Sequence, residues 1–423
     1  MSVHERVLPM AGGAFAAYRG RMTDTVPQYQ SGAHTAMSRE EALSILDRLV
    51  SHLRNGTTDM APEQLEIPIS YYLDEELWER EIKEIFHVIP LPVCTSAELA
   101  GVGDYKAMRV VGREIVLVRG KDGHMNAMLN VCRHRAMKLV PGGCGSARRF
   151  SCSYHAWTYD TDGTLMAVPG EDTFGDVDKD EYSLVRLPCE ERAGIIFVGL
   201  TPGADLAIDE WLGDALPYLE ALELDKCTHF TTKELAGPNW KVTLDGYLEG
   251  YHFGALHPNT VALTNHTNRM THDRFGPHVR NVFALKTLDA MMERPREEWD
   301  PAAAMGLVYW IFPGMSIAGG WRERTVISII LPGDSWGESM TWQATLLRTP
   351  PQTAEELLEA EKTAEWFFAA FRDEDYTAQQ EVQDGLSSLA DKHMIIGRNE
   401  IAVQHAHETA RRLLAGEPVL GPR

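Results

Sequence analysis

The sequence has no run approaching eighteen consecutive apolar residues, and it does not open on a basic segment followed by an apolar stretch and a small-residue cleavage site. A soluble chain working in the cytoplasm is therefore expected. Cysteine is scarce: Cys94, Cys132, Cys144, Cys152, Cys189 and Cys227 are too few for a disulfide framework in 423 residues, which leaves thiolates free for metal. Positive charge is scarce too. Forty Lys and Arg against sixty-one Asp and Glu leave a formal charge of -21, which argues against a broad phosphate-binding surface and against nucleic acid as a partner. Internal repeats, low-complexity tracts and a glycine-rich dinucleotide fingerprint after a strand are also lacking.

What is present suits two domains. Residues 1–60 hold one amphipathic run, "SREEALSILDRLVSHLRNG", in which Ser38 and Glu41 have capping-box spacing and Gly56 marks the stop, so an N-terminal helix on a mobile lead-in is expected. From about residue 84 to 205, short β-type runs such as "EIVLVRG" and "AGIIFVGL" alternate with Gly and Asp turns, as in a small β domain. Mixed helix and strand signals follow from 206, including "RTVISIIL" and a long helical run opened by Thr353 and Glu356 in capping-box spacing.

The most specific signal is "CRHRAMKL" followed by "CSYHAW": Cys132-x-His134, seventeen intervening residues, then Cys152-x-x-His155. Two thiolates on one iron and two imidazoles on the other make the ligand set of a Rieske 2Fe-2S cluster, whose neutral nitrogen donors raise its potential above that of all-cysteine clusters. Structural zinc also uses Cys and His, but usually with two-to-four-residue gaps in each pair. Gly142, Gly143, Gly145 and Gly163 suit loops folded over a cluster, and turn chemistry explains them equally. Trp157, Tyr159 and Trp240 flank the metal motifs and read as core packing.

On these residues, and on the continuous run from Cys132 to Leu165, the sequence resembles the large subunit of the Rieske non-heme iron ring-hydroxylating oxygenases, from about Trp78 to the C-terminal helices. Ser153 departs from the family, which commonly has Pro there. The resemblance implies an α+β fold: a Rieske domain at 84–205 beside a larger catalytic domain, 61–83 and 206–423, with a central antiparallel sheet flanked by helices.

A second constellation, "NWKVTLDGYLEGYHFGALHP", follows from Asn239. On an ideal helix Asp245, Glu249 and His252 would lie at about 0, 40 and -20 degrees and share a face. His257 could join His252 on one metal if the helix ends near Gly254. Two imidazoles and one carboxylate on a triangular face leave positions for dioxygen and substrate. The carboxylate is expected on the C-terminal helix, whose apolar stripe reads Leu357, Ala360, Ala364, Phe367, Phe368, Phe371, Val382, Leu386 and Leu389. Asp375 falls on that stripe if the helix is unbroken, where ligation would satisfy a buried carboxylate. Asp373 points about 180 degrees and Glu374 about 80 degrees from Val382. The run "EDYTAQQEVQDGLSS" also resembles the family's ligand helix, with Asp375 in the matching position.

The family places a carboxylate three residues before the first histidine, where it links the mononuclear iron to the Rieske histidine of a neighbouring subunit. Here that residue is Glu249 where most members have Asp, as in a subgroup that includes quaternary-ammonium oxygenases; Asp245 is the alternative. The resemblance implies one Rieske cluster and one mononuclear Fe(II) per chain, and a terminal oxygenase fed by a separate NAD(P)H reductase or ferredoxin. It would hydroxylate or cis-dihydroxylate an aromatic or similar apolar substrate, or oxidatively demethylate a quaternary ammonium or methoxy compound. The 118 residues from His257 to Asp375 are short beside aromatic dioxygenases with β subunits and favour a homotrimer. The rivals are an electron carrier, which needs only the β domain, and a colourless zinc-stabilised binding protein.

Three further expectations concern single residues. His266, His272 and His278 read as surface histidines in a polar, lid-like stretch. Tyr309, Trp310, Phe312 and Trp321 could line an apolar cavity or cage a cationic nitrogen. Arg322 and Arg324 give one strand face a basic character suited to a substrate carboxylate.

Overall fold

A computed structural model describes residues 37–319 and 323–420. The expected mobile lead-in, and Trp321 and Arg322, lie outside the described residues. The first helix, α1 (Arg39–Asn55), starts at Ser38, whose side chain accepts the Glu41 N–H, and stops at Gly56 with φ 66°. The box does not close: the Glu41 carboxylate turns away from its own helix to Tyr218 and Arg280. Arg48, bonded to Asp59 and Asp273, fixes the same helix to the large sheet.

Between 91 and 198 the chain builds three small antiparallel sheets. Five strands order as Arg186–Leu187, Met125–Leu129, Arg113–Arg119, Asp104–Val110 and Gly143–Ser146. Three more, Arg149–Ser151, Thr158–Asp160 and Leu165–Ala167, carry the second cysteine loop at one end. Val116, Val118, Met128, Phe150, Tyr159 and Leu165 pack as one core under both cysteine loops.

The larger part is built on seven antiparallel strands: β1 (Thr228–Gly237), β2 (Asn265–Phe275), β3 (His278–Leu285), β4 (Met305–Ile311), β5 (Met315–Ala318), β6 (Arg324–Pro332) and β7 (Ser339–Leu347), in the order β1-β7-β6-β5-β4-β3-β2. β3 is buried along its whole length and β6 along nearly all of it, as expected where both sheet faces are covered. One face meets α1 and the segment around Tyr218. The other meets α2 (Trp240–Tyr247), α3 (Phe253–Leu256) and α5 (Tyr376–Leu386), with α4 (Ala354–Ala370) reaching β1 where Lys233 lies over Phe368. This two-sided burial corrects the reading of His272 and His278 as surface residues: they are 9% and 0% exposed within β2 and β3. Tyr309 and Trp310 of β4, and Phe312 just past its end, are buried as well.

Two helix expectations change. α2 ends at Tyr247, so Glu249 and His252 lie in a bend between α2 and α3 and share no helix with Asp245. The C-terminal run has its capping box at Thr353 and Glu356, but α4 and α5 are separated by a π turn, Phe371–Asp375. Leu357, Val382 and Leu389 are exposed, so the apolar stripe is narrower than expected. A final helix, α6 (Ile401–Leu414), packs near α2 through His407. Among the described residues no helix is long and apolar enough to cross a membrane.

Candidate metal centres

The two cysteine loops repeat one backbone pattern. The Cys132 carbonyl accepts the Ala136 N–H and the Cys132 N–H bonds Met137 O; the Cys152 carbonyl accepts the Ala156 N–H and the Cys152 N–H bonds Trp157 O. Ala136 and Ala156, each four residues past its cysteine, take φ values of 56° and 58°. The tight reversal holds each cysteine at the loop base, 2% and 3% exposed, and each histidine near the rim. Gly163 closes the neighbouring turn at φ 90°, where a Cβ would meet Met128 Sδ at 2.8 Å.

His134 and His155 face each other with ring centroids 4.6 Å apart, and His134 lies 5.0 Å from Trp157 with the planes 7° from parallel. The Tyr159 hydroxyl is 3.4 Å from Cys132 Sγ and accepts the Arg133 N–H at 3.1 Å. Trp157 and Tyr159, expected as packing, are both buried core and in contact with the cluster motif. His134 Nδ1 is buried with no hydrogen-bond partner among the described residues, and both cysteines are free thiols. A buried nitrogen lacking a partner beside two buried thiols is a donor set that suits a Cys2His2 cluster.

In the catalytic part, His252 opens α3 and His257 closes it. One ligand atom from each of His252, His257 and Asp375 lies within 4.8 Å of the other two. His257 Nε2 is 3.0 Å and His252 Nε2 3.5 Å from Asp375 Oδ1. The δ nitrogens face away: that of His252 bonds Glu249, and that of His257 bonds Glu374 Oε2 at 2.5 Å, an oxygen that also accepts from Thr260 Oγ1 at 2.6 Å. Carboxylates on the outer nitrogens fix tautomer and ring orientation, the usual support of metal-binding imidazoles. Burial opposes charge on His252, but Asp375 and Glu249 outweigh it and hold this imidazole up at about 9. Burial likewise works against the Asp375 carboxylate, and the two histidines bring it below its ordinary range. Two convergent nitrogens and one carboxylate oxygen fit a facially bound iron.

Asp245 does not join this group. Its oxygens meet His407 Nε2 at 2.7 Å and the Tyr72 hydroxyl at 2.8 Å. Asp373 is tied to exposed Arg372. Glu374, which sequence phase left intermediate, is the residue that reasoning missed; only the π turn brings it to His257. Beside the triad Tyr247 stacks on Phe371 at 5.2 Å and lies 6.4 Å from Trp310, forming an aromatic wall.

Residues 89–186 match the Rieske [2Fe-2S] domain family, and residues 223–416 match the catalytic domain of the ring hydroxylating alpha subunit. The carnitine monooxygenase oxygenase subunit of Escherichia coli K12 is 32% identical over 327 residues, 76% of this chain and 84% of the relative. The anthranilate 1,2-dioxygenase large subunit of Acinetobacter baylyi is 29% identical over 226 residues, 51% of this chain and 48% of the relative. A crystal structure of a quaternary ammonium Rieske monooxygenase with L-carnitine shares the fold, with TM-score 0.71 and 24% identity over 84% of this chain and 96% of that one. Both domains in tandem, and a relative matched over most of its length, place this chain in the Rieske non-heme iron oxygenase family as an oxygenase large subunit.

Proposed function

We propose that this oxygenase subunit oxidises a quaternary ammonium compound at a mononuclear iron held by His252, His257 and Asp375, with electrons received through a Rieske cluster on Cys132, His134, Cys152 and His155. When bound, the two centres supply electron delivery and dioxygen activation. The chain's own residues set the geometry. Glu249 and Glu374 accept from the δ nitrogens of His252 and His257, so both ε nitrogens are turned toward Asp375. The observation that carries the reading is this convergence.

The aromatic wall of Tyr247, Phe371 and Trp310 suits a trimethylammonium head by cation-π attraction, and the relative matched over most of its length is a carnitine monooxygenase subunit. Hydroxylation of an aromatic substrate is the second reading, favoured by the same wall and by the likeness to an anthranilate dioxygenase subunit. A separate reductase, a homotrimeric assembly and a reducing cytoplasm belong to this proposal. The test is oxygen uptake with a surrogate reductase against quaternary amines, aromatic acids and neutral aromatics. Uptake with carnitine-like amines supports the reading, and uptake confined to aromatics replaces it with the second.

A further inference from the structure

The sheet register locates one side chain that the site described so far does not use. On β6, Ser328 bonds Gln343 at 3.4 Å and also reaches Tyr247 of α2, so this side of the strand faces the metal layer. The two-residue period of a strand turns Val326 and Arg324 the same way. Val326 pairs with Ala318, Ala318 with Val308, and Gly306 with Phe283. Arg324, two residues beyond Val326, therefore lies in the sheet row of Gly306 and Phe283. Phe283 packs 5.3 Å from Phe253, which in turn lies 5.1 Å from His252 and 6.0 Å from His257. β3 and β6 are three strand spacings apart, about 14 Å, so the metal triad and Arg324 stand over the two ends of one short row.

Arg324 is partly buried and its Nε is shut off from solvent, yet among the described residues that atom has no hydrogen-bond partner and the guanidinium has no carboxylate at ion-pair distance. Burial draws it below the usual arginine range, with Glu359 and Glu323 opposing only from a distance. A guanidinium kept there without an acid leaves its planar fork unmatched. Trp310, on the same sheet face and 1% exposed, also has an indole N–H with no partner among the described residues. Arg113 shares the orphaned Nε but sits in the five-stranded sheet of the smaller part, away from this row.

We propose that Arg324 anchors a carboxylate on the substrate, making this an oxygenase for organic acids and zwitterions and not for neutral hydrocarbons. The assignment rests on the reading of His252, His257 and Asp375 as the oxidation site, and it deepens that reading by fixing the end of the substrate remote from the iron. The guanidinium grips the carboxylate through two parallel N–H bonds, and the row length sets which carbon is presented to the triad.

The test uses iron-loaded, full-length enzyme and equilibrium titration with L-carnitine, carnitine methyl ester, anthranilate and anthranilamide. Wild type is expected to bind at least one acid ten times or more tighter than its neutral counterpart. Arg324→Gln should weaken that acid at least tenfold while changing the neutral partner less than twofold, and Arg324→Lys, which keeps charge but loses the fork, should fall between. Rieske absorption and the thermal midpoint check that the variants are folded; if the Gln variant is not, the Lys variant decides. Equal effects on acid and neutral ligand, or no preference for either acid in wild type, overturn the anchor. If only anthranilate shows the Arg324-dependent preference, the quaternary ammonium reading fails while the carboxylate anchor stands.

Discussion

At the level of single residues, the two cysteine loops separate what binds a cluster from what lies near it. Cys132→Ser or His155→Ala should abolish the Rieske absorption and EPR signal, since each removes one of the four proposed ligands. Cys144→Ser should leave both intact, because Cys144 is exposed in the adjoining strand Gly143–Ser146. A normal signal in Cys132→Ser would refute the ligand set. Tyr159→Phe is subtler: it keeps the core ring but removes the hydroxyl 3.4 Å from Cys132 Sγ. Losing a hydrogen bond to sulfur disfavours the reduced cluster, so a redox titration should show a potential lower by on the order of tens of millivolts with the spectrum retained. His278 makes a different residue-level claim. Its Nε2–H donates to Trp211 O at 2.9 Å and its Nδ1 accepts the Phe312 N–H at 3.2 Å, a pair of bonds open only to the neutral ring. Burial takes this imidazole from 6.5 down to about 4. The unfolded chain therefore takes the proton first as pH falls: stability is flat above about 6.5 and is lost from there toward 4, by about 2 kcal/mol at pH 5. Denaturant titrations at pH 7.5 and 5 should show a smaller drop in His278→Gln than in wild type, and equal drops would contradict the assignment.

At the level of elements, the π turn between α4 and α5 shapes the proposed metal site. It inserts one residue into the helical path, so that Glu374 reaches His257 and Asp375 reaches both ε nitrogens. Deleting Arg372, a half-exposed residue bonded to Asp373 and Glu365, should restore a continuous α-helix and rotate one flank by about 100 degrees against the other. Mononuclear iron and turnover should then be lost, about one iron per chain, while the Rieske absorption persists; Arg372→Ala should keep both metals. A deletion variant that retains its mononuclear iron would show that the turn is dispensable. The same element shows the reach of the sequence. The cluster motif was legible because its four residues come from two short loops whose spacing is local. Asp375 was legible as the buried acid of the helical run opened by Thr353, but through a stripe that included Leu357, Val382 and Leu389, all of them exposed. Helical phase cannot register an inserted residue, and Glu374 was missed for that reason. The bend after Tyr247 is equally tertiary: a Cβ at Gly250 would meet Phe283 of β3 at 2.8 Å, a contact that no local pattern announces. His272 and His278 sat in a polar stretch and were misjudged because their partners, Asn281 and the backbones of Trp211 and Phe312, are remote or hidden.

At the scale of the whole molecule, charge is unevenly spread. From Val131 to Tyr159 there are five basic residues and no acidic one in a chain of net charge -21, and this segment holds both cluster loops. Tyr154 stands 56% exposed at the tip under Arg135. At the other metal site the carboxylates of Glu249 and Glu374 lie against the δ nitrogens of His252 and His257. A basic cluster tip on a chain of net charge -21 favours contact with the acidic surface of another copy, and the assembly proposed above uses Glu249 as the link between centres. Glu249→Gln keeps the side-chain length, so both metals should remain bound while turnover falls by orders of magnitude, because the hydrogen-bonded path through His252 is disturbed. Cys132→Ser chains lack the cluster but keep Glu249. Neither variant alone should turn over. Mixed trimers of the two should recover activity wherever an intact cluster of one chain faces an intact Glu249 site of another, and such rescue is impossible if electrons stay within one chain. Mixing is checked with two affinity tags and iron content before turnover is measured. No recovery in verified mixed trimers that retain their remaining metals would exclude the route between subunits, and full activity of Glu249→Gln alone would remove the link itself.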